Sequence, residues 1–150
     1  MKIAIASDHA GVDEKERLKG FLAGLGHEVQ DFGTNSKESC DYPDFIVPAA
    51  RAVAAGACER GIVLGGSGNG EAIAANKVRG VRCALVHDAF TAEMARRHND
   101  ANVASFGSRV TKVEAMLELA RIFMETPFDG GRHAKRIEKI ARVEEEERRR

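Results

Sequence analysis

Short apolar runs alternate with longer stretches of helical spacing along the whole chain. Residues 3–6, 28–32, 61–64, 83–86 and 103–106 read as strands. Between and after them, residues 13–23, 44–55, 71–77, 89–97 and 112–125 read as helices. Strand and helix taking turns is the pattern of repeated βα units. It predicts an α/β fold built on a parallel sheet of five strands. In the fifth helix Val113, Met116, Leu117, Ala120 and Phe123 recur on one helical face and are expected to pack on the sheet. Thr126-Pro127-Phe128-Asp129-Gly130-Gly131 then punctuates the chain before a last helical stretch from Arg132. That stretch offers only Ile137, Ile140 and Val143 as apolar surface and closes in glutamates and arginines. It reads as an arm toward a partner subunit or solvent rather than a core element.

The run Gly65-Gly66-Ser67-Gly68-Asn69-Gly70 follows the third strand and leads into the helix expected to open at Glu71. Glycines let backbone N–H groups crowd an anion, and a helix start adds a partial positive charge beside them. The loop therefore suits a phosphate or an oxyanion. Glu71 at its end is either a general base or an ordinary first-turn carboxylate favouring the helix dipole, and spacing alone does not separate the two.

At 150 residues with 43% hydrophobic content, the chain has the size of one domain with one core, residues 1–150. Its 23 basic and 23 acidic residues cancel, so no global field draws it to nucleic acid or a membrane surface. The N-terminal apolar run is too short for a secretory signal and no stretch is long enough to span a membrane, which makes the cytoplasm the expected address. Cys40, Cys58 and Cys83 are odd in number and lack CxxC pairing, so all three are expected reduced, with Cys83 in the core.

In a parallel sheet ligands collect beyond the carboxyl ends of the strands. Ser7-Asp8-His9, the glycine loop, His87-Asp88 and Gly107-Ser108-Arg109 all end strands and are expected on that rim. Asp8 and His9, taken singly, also suit helix capping. His98 ends the fourth helix, where the dipole can poise an imidazole but where surface caps are common. Arg132 and Arg136, four apart, form a fork fit for a phosphate or a solvated basic face.

Taken in order, Ser7-Asp8-His9-Ala10-Gly11, Gly65 to Glu71, Ala74-Ala75-Asn76-Lys77, His98-Asn99-Asp100-Ala101-Asn102, Gly107-Ser108-Arg109 and Gly131-Arg132-His133 resemble the type B ribose-5-phosphate isomerases over nearly the whole chain. That family includes subunits of galactose-6-phosphate isomerase. The resemblance implies a Rossmann-like α/β/α sandwich, a sugar-phosphate substrate, no metal, no cofactor, and a homodimer or dimer of dimers whose active sites draw on both subunits. It casts Glu71 as the base moving a proton between C2 and C1, with Ser67 and the amides of Gly66, Gly68, Asn69 and Gly70 holding the enediolate oxygen. His98 becomes the acid that opens the furanose, Asp8 lies near the ring oxygens, and Asn99 orients the substrate. His9, Arg109, Arg132 and Arg136 resemble the phosphate and substrate clamp. Many family members carry a cysteine base where this chain has Gly65, so a thiol mechanism is not expected. With the base at a helix start that lowers its pKa, water exclusion and the substrate phosphate are expected to raise it on binding.

Another sugar phosphate (tetrose, allose or galactose phosphate) would meet the same C1–C2 chemistry. A nucleotide-binding module would use Asp88 as its ribose acid, although the loop lacks both a P-loop ending and GxGxxG spacing. A noncatalytic sugar-phosphate sensor would need neither Glu71 nor His98.

Overall fold

The computed structural model describes residues 1–150 and contains the five expected strands, β1 (Lys2–Ser7), β2 (Glu28–Asp31), β3 (Arg60–Gly65), β4 (Cys83–Leu85) and β5 (Val103–Gly107). All pair in parallel, in the order β2-β1-β3-β5-β4. The helices are α1 (Val12–Gly24), α2 (Pro43–Ala54), α3 (Asn69–Asn76), α4 (Ala89–Arg97), α5 (Val113–Glu125) and α6 (Arg132–Arg149). No helix is long and apolar enough to cross a membrane.

Alternation along the strands divides the apolar residues between two faces. Ile3, Ile5, Ile62, Leu64 and Phe106 pack with Leu18 and Leu22 of α1, Ala92 and Ala95 of α4, and Met116, Ala120 and Phe123 of α5. Ala4, Ala6 and Val63 pack on the other face, with Ile46, Ala49 and Val53 of α2 and Ala74 and Ala75 of α3. The α5 stripe buries Met116, Ala120 and Phe123 as its spacing predicts, and adds Leu119 and Met124. Cys83 departs from expectation. It is only partly buried, because β4 is the edge strand, whereas Cys58 is wholly enclosed, and all three cysteines are free.

This layering locates a crevice. The connections after β1 and β5 leave toward the α1, α4 and α5 face, while the connection after β3 leaves toward α3 on the opposite face. The β3 loop is thus flanked on both sides by chains that turn away from it, the topological switch where α/β sheets bind ligands.

One buried charge helps build the wall beside this crevice. Lys15 is fully buried, and its Nζ donates to Asp31 Oδ2 at 2.6 Å and to Asn35 Oδ1 at 2.8 Å. Burial works to raise the Asp31 carboxyl, but the Lys15 and Lys19 hydrogen bonds and the Gly33 N–H prevail and hold it below the usual carboxylate range. The segment after β2 is thereby tied down before it reaches Cys40 and Tyr42.

α6 stands apart from the core. Only His133 is buried in it, and Ile140 and Val143 are exposed, as expected of an arm. It is pinned to the turn before β4 by Arg79–Glu145 at 3.0 Å and by the Gly80 N–H donating to the Glu144 carboxylate at 3.2 Å.

Candidate active site

The glycine loop leaves β3 at Gly65 and becomes helical at Asn69, two residues before the predicted start. Gly68, at φ +82°, makes the left-handed turn and stands as the N-cap, which puts Glu71 at the third helical position. Neighbours hold the loop from several sides. The buried Ser105 hydroxyl donates to the Gly68 carbonyl at 2.7 Å, and the Ser108 and Arg109 N–H groups donate to the carbonyls of Gly65 and Gly66 at 2.8 and 3.0 Å. A β-carbon on Gly107 would lie 2.5 Å from the Ser67 carbonyl oxygen, so that glycine is what lets the loop fold down onto β5. The Asn69 N–H donates to Ser67 Oγ at 3.2 Å, while the N–H groups of Gly66, Ser67, Gly68 and Gly70 have no acceptor within the protein. Such a nest of amides suits an oxyanion.

Beneath the loop lies the Glu71 side chain, in a residue only 3% exposed. Its carboxyl fills the space that a side chain on Gly65 would enter. Burial is the first cause raising the Glu71 pKa. Its own backbone N–H opposes that, and the nearby Asp8 charge adds to it. Water exclusion is therefore built into the folded chain before any phosphate arrives. Asp8, also buried, caps the 3₁₀ turn after β1 by accepting the Ala10 N–H at 2.8 Å. The capping and site readings of Asp8 therefore coexist in one side chain. His9 Nδ1 accepts the Cys40 N–H at 3.3 Å, and the exposed Arg109 lays its guanidinium over Gly66.

Two neighbours of this rim carried no signal in the sequence analysis. The Tyr42 phenol covers Gly70, where a β-carbon would come within 2.7 Å of its hydroxyl. It arrives from the start of α2, and being the chain's one tyrosine before a proline was its only mark. Ser105 was hidden inside an apolar strand. Cys83 is not a reactive thiol, since burial first and the Glu71 charge second push it up to about 12. Asp88 is not free for a ribose. It caps α4 in a reciprocal capping box with Thr91, its carboxylate accepting the Thr91 N–H at 2.7 Å.

His98, Asn99, Arg132 and Arg136 are not on this rim. α4 runs from Asp88 at the carboxyl end of β4 down the sheet to His98 at its C-cap, roughly 15 Å at 1.5 Å per residue. At that far end Arg82, which precedes β4, donates to the carbonyls of Asn99 and Asp100 at 3.0 and 2.9 Å. Asp129 is fastened to α4 by its N–H on the Arg97 carbonyl at 3.0 Å, which seats the start of α6 beside His98. The His98 and His133 rings stack there, centroids 4.1 Å apart and 10° from parallel. Burial first, then the charges of His98, Arg132 and Arg136, hold the His133 imidazole below its ordinary range. The candidate residues thus form two half-sites at opposite ends of one sheet.

Residues 3–140 match the family model described as Ribose/Galactose Isomerase. The chain is 40% identical over 144 residues to ribose-5-phosphate isomerase B of Escherichia coli, covering 96% of this chain and 97% of that one. It is 42% identical over 146 residues to ribose-5-phosphate isomerase B of Mycobacterium tuberculosis, covering 96% and 90%. Among solved structures, ribose-5-phosphate isomerase B of Clostridium thermocellum superposes with a TM-score of 0.96 at 46% identity, over 97% of this chain and 99% of that one. The Mycoplasma genitalium enzyme with bound ribulose-5-phosphate superposes with a TM-score of 0.93 at 39% identity, over 97% of both chains.

Proposed function

Because the chain belongs to the ribose/galactose isomerase family, we propose that it interconverts ribose 5-phosphate and ribulose 5-phosphate, moving a proton between C2 and C1 through an enediolate. The observation that carries this reading is Glu71: a buried carboxyl with a raised pKa, set under a loop of unengaged amides. Removing a weakly acidic carbon proton calls for a base stronger than a solvated carboxylate, and desolvation supplies it. The charge that develops on the substrate oxygen meets the Ser67 hydroxyl and the free N–H groups of Gly66, Ser67, Gly68 and Gly70, preorganised donors that act where charge appears.

The remaining roles follow the resemblance. His98 protonates the ring oxygen to open the furanose, Asp8 lies against the ring hydroxyls, and Asn99 orients the open chain. His9, Arg109, Arg132 and Arg136 hold the phosphate and hydroxyls, which fixes C1 and C2 against the base. Aldose and ketose stand at the same oxidation level, and the hydrogen stays on the substrate as a transferred proton. The scheme therefore uses no redox cofactor, and the amides take the place a metal would have at the enediolate.

A site needing both half-sites is assembled from two copies of the chain, the rim of one meeting the far end of the other. A homodimer is the smallest such assembly, and a dimer of dimers keeps the same pairing. Substrate length is then set by the gap between Glu71 of one copy and the arginines of the next. Assay of ketose formation from four-, five- and six-carbon aldose phosphates tests the assignment. Ribose 5-phosphate is expected to give the highest kcat/KM, and selective turnover of a six-carbon sugar would overturn it.

A further inference from the structure

At the far half-site, His98, Asp129 and His133 each offer one ligand atom, and these atoms all lie within 4.8 Å of one another. They come from three segments: the C-cap of α4, the turn before α6, and the first turn of α6. We propose that these three side chains bind a divalent first-row transition ion of the zinc, cobalt or nickel kind, and that the bound ion inhibits the enzyme by taking the imidazole of His98. The inhibition rests on the role given to His98 above; the binding does not.

Two imidazoles and one carboxylate are the donor set such ions prefer, and nitrogen donors select against magnesium and calcium. In a tetrahedral site with bonds of about 2.0–2.1 Å, ligand atoms sit roughly 3.3 Å apart, so the cluster closes by at most about 1.5 Å. That closure lies within side-chain reach. His133 is only 7% exposed and gives the site a fixed wall, while the more open His98 ring rotates out of the stack to aim its lone pair at the ion. Asp129 is held at 3.2 Å through both oxygens by Arg97 Nε, an exposed pair that yields at little cost. Its turn stays in place meanwhile, because the Asp129 N–H remains on the Arg97 carbonyl. Arg97, Arg132 and Arg136 surround the cluster with positive charge. Affinity is accordingly expected in the micromolar range, that of a reversible inhibitor rather than of a structural zinc site.

Titration of the full-length protein with Co²⁺, followed by its visible absorption and by displacement with Zn²⁺, reads binding directly. One ion per chain is expected to give a cobalt band that His133→Asn abolishes and Asp129→Asn weakens by about tenfold or more in Kd. Turnover measured in parallel should fall as the band saturates and return with EDTA. Asp129→Asn, with wild-type turnover in metal-free buffer, should need correspondingly more metal for the same inhibition. No cobalt band at millimolar ion, or one unchanged in both variants, would overturn the site. A band with the expected variant dependence but undiminished turnover would overturn the inhibition and count against His98 as the acid, leaving Glu71 untouched.

Discussion

Glu71 joins stability to function in opposite directions. A buried carboxyl with a raised pKa binds its proton more tightly folded than unfolded, so stability falls as pH rises from about 4.5, the ordinary value, through the raised one. Glu71→Gln removes that penalty. It should unfold at higher urea than wild type at neutral pH, with the gap closing as the pH falls through the raised value and gone below about 4.5, while kcat falls roughly a thousand-fold. A variant destabilised at neutral pH, or one that keeps near-normal turnover, would count against the buried base. The same residue explains Gly65. Since the carboxyl lies where a side chain at 65 would go, glycine and glutamate form a matched pair at the position where the resemblance implies a cysteine base in other members. The double variant Gly65→Cys with Glu71→Ala should recover at least tenfold of the turnover lost in Glu71→Ala alone, with a pH profile shifted toward a thiol ionising near 8.5 or below. The place of Glu71 at the end of the glycine loop was legible in the sequence. Its pairing with Gly65 in space was not, because a missing side chain leaves no mark of what fills the gap.

At the scale of elements, periodicity revealed the strands and helices because burial on two faces imposes it. Their ends moved by a residue or two where turn geometry rules. α3 starts early because Gly68 takes the left-handed turn, and Cys83 lost its core place to sheet order, which local pattern does not carry. Tyr42 and Ser105 were missed for the same reason: each acts on the loop from a distant element. The loop's shape depends on β5 as much as on its own glycines. Gly107→Ala would drive a methyl group onto the Ser67 backbone, so it should lower kcat a hundred-fold or more while Phe106 and the core beneath keep the chain folded. Circular dichroism and turnover together check this, and normal turnover would show that the loop geometry is not needed.

At the scale of the molecule, the two candidate half-sites sit at opposite ends of the sheet, and large apolar side chains lie exposed near each. Ile73, Phe90 and Val110 are exposed near the rim, and Ile140 and Val143 on the arm, the kind of paired patches that association covers. Order along the chain placed Asp8, the glycine loop and Arg109 on one rim correctly, because strand ends follow from topology. That His98 faces away from them became visible only once α4 had a direction. The most direct test of the account mixes two inactive proteins, Glu71→Gln and His98→Asn, under conditions that exchange subunits. Random pairing makes half the dimers hybrid, each with one intact site, so turnover of ribose 5-phosphate should return to about a quarter of wild type. No recovery from demonstrated hybrids, or full activity in either variant alone, would contradict a shared site in which Glu71 of one copy works with His98 of another.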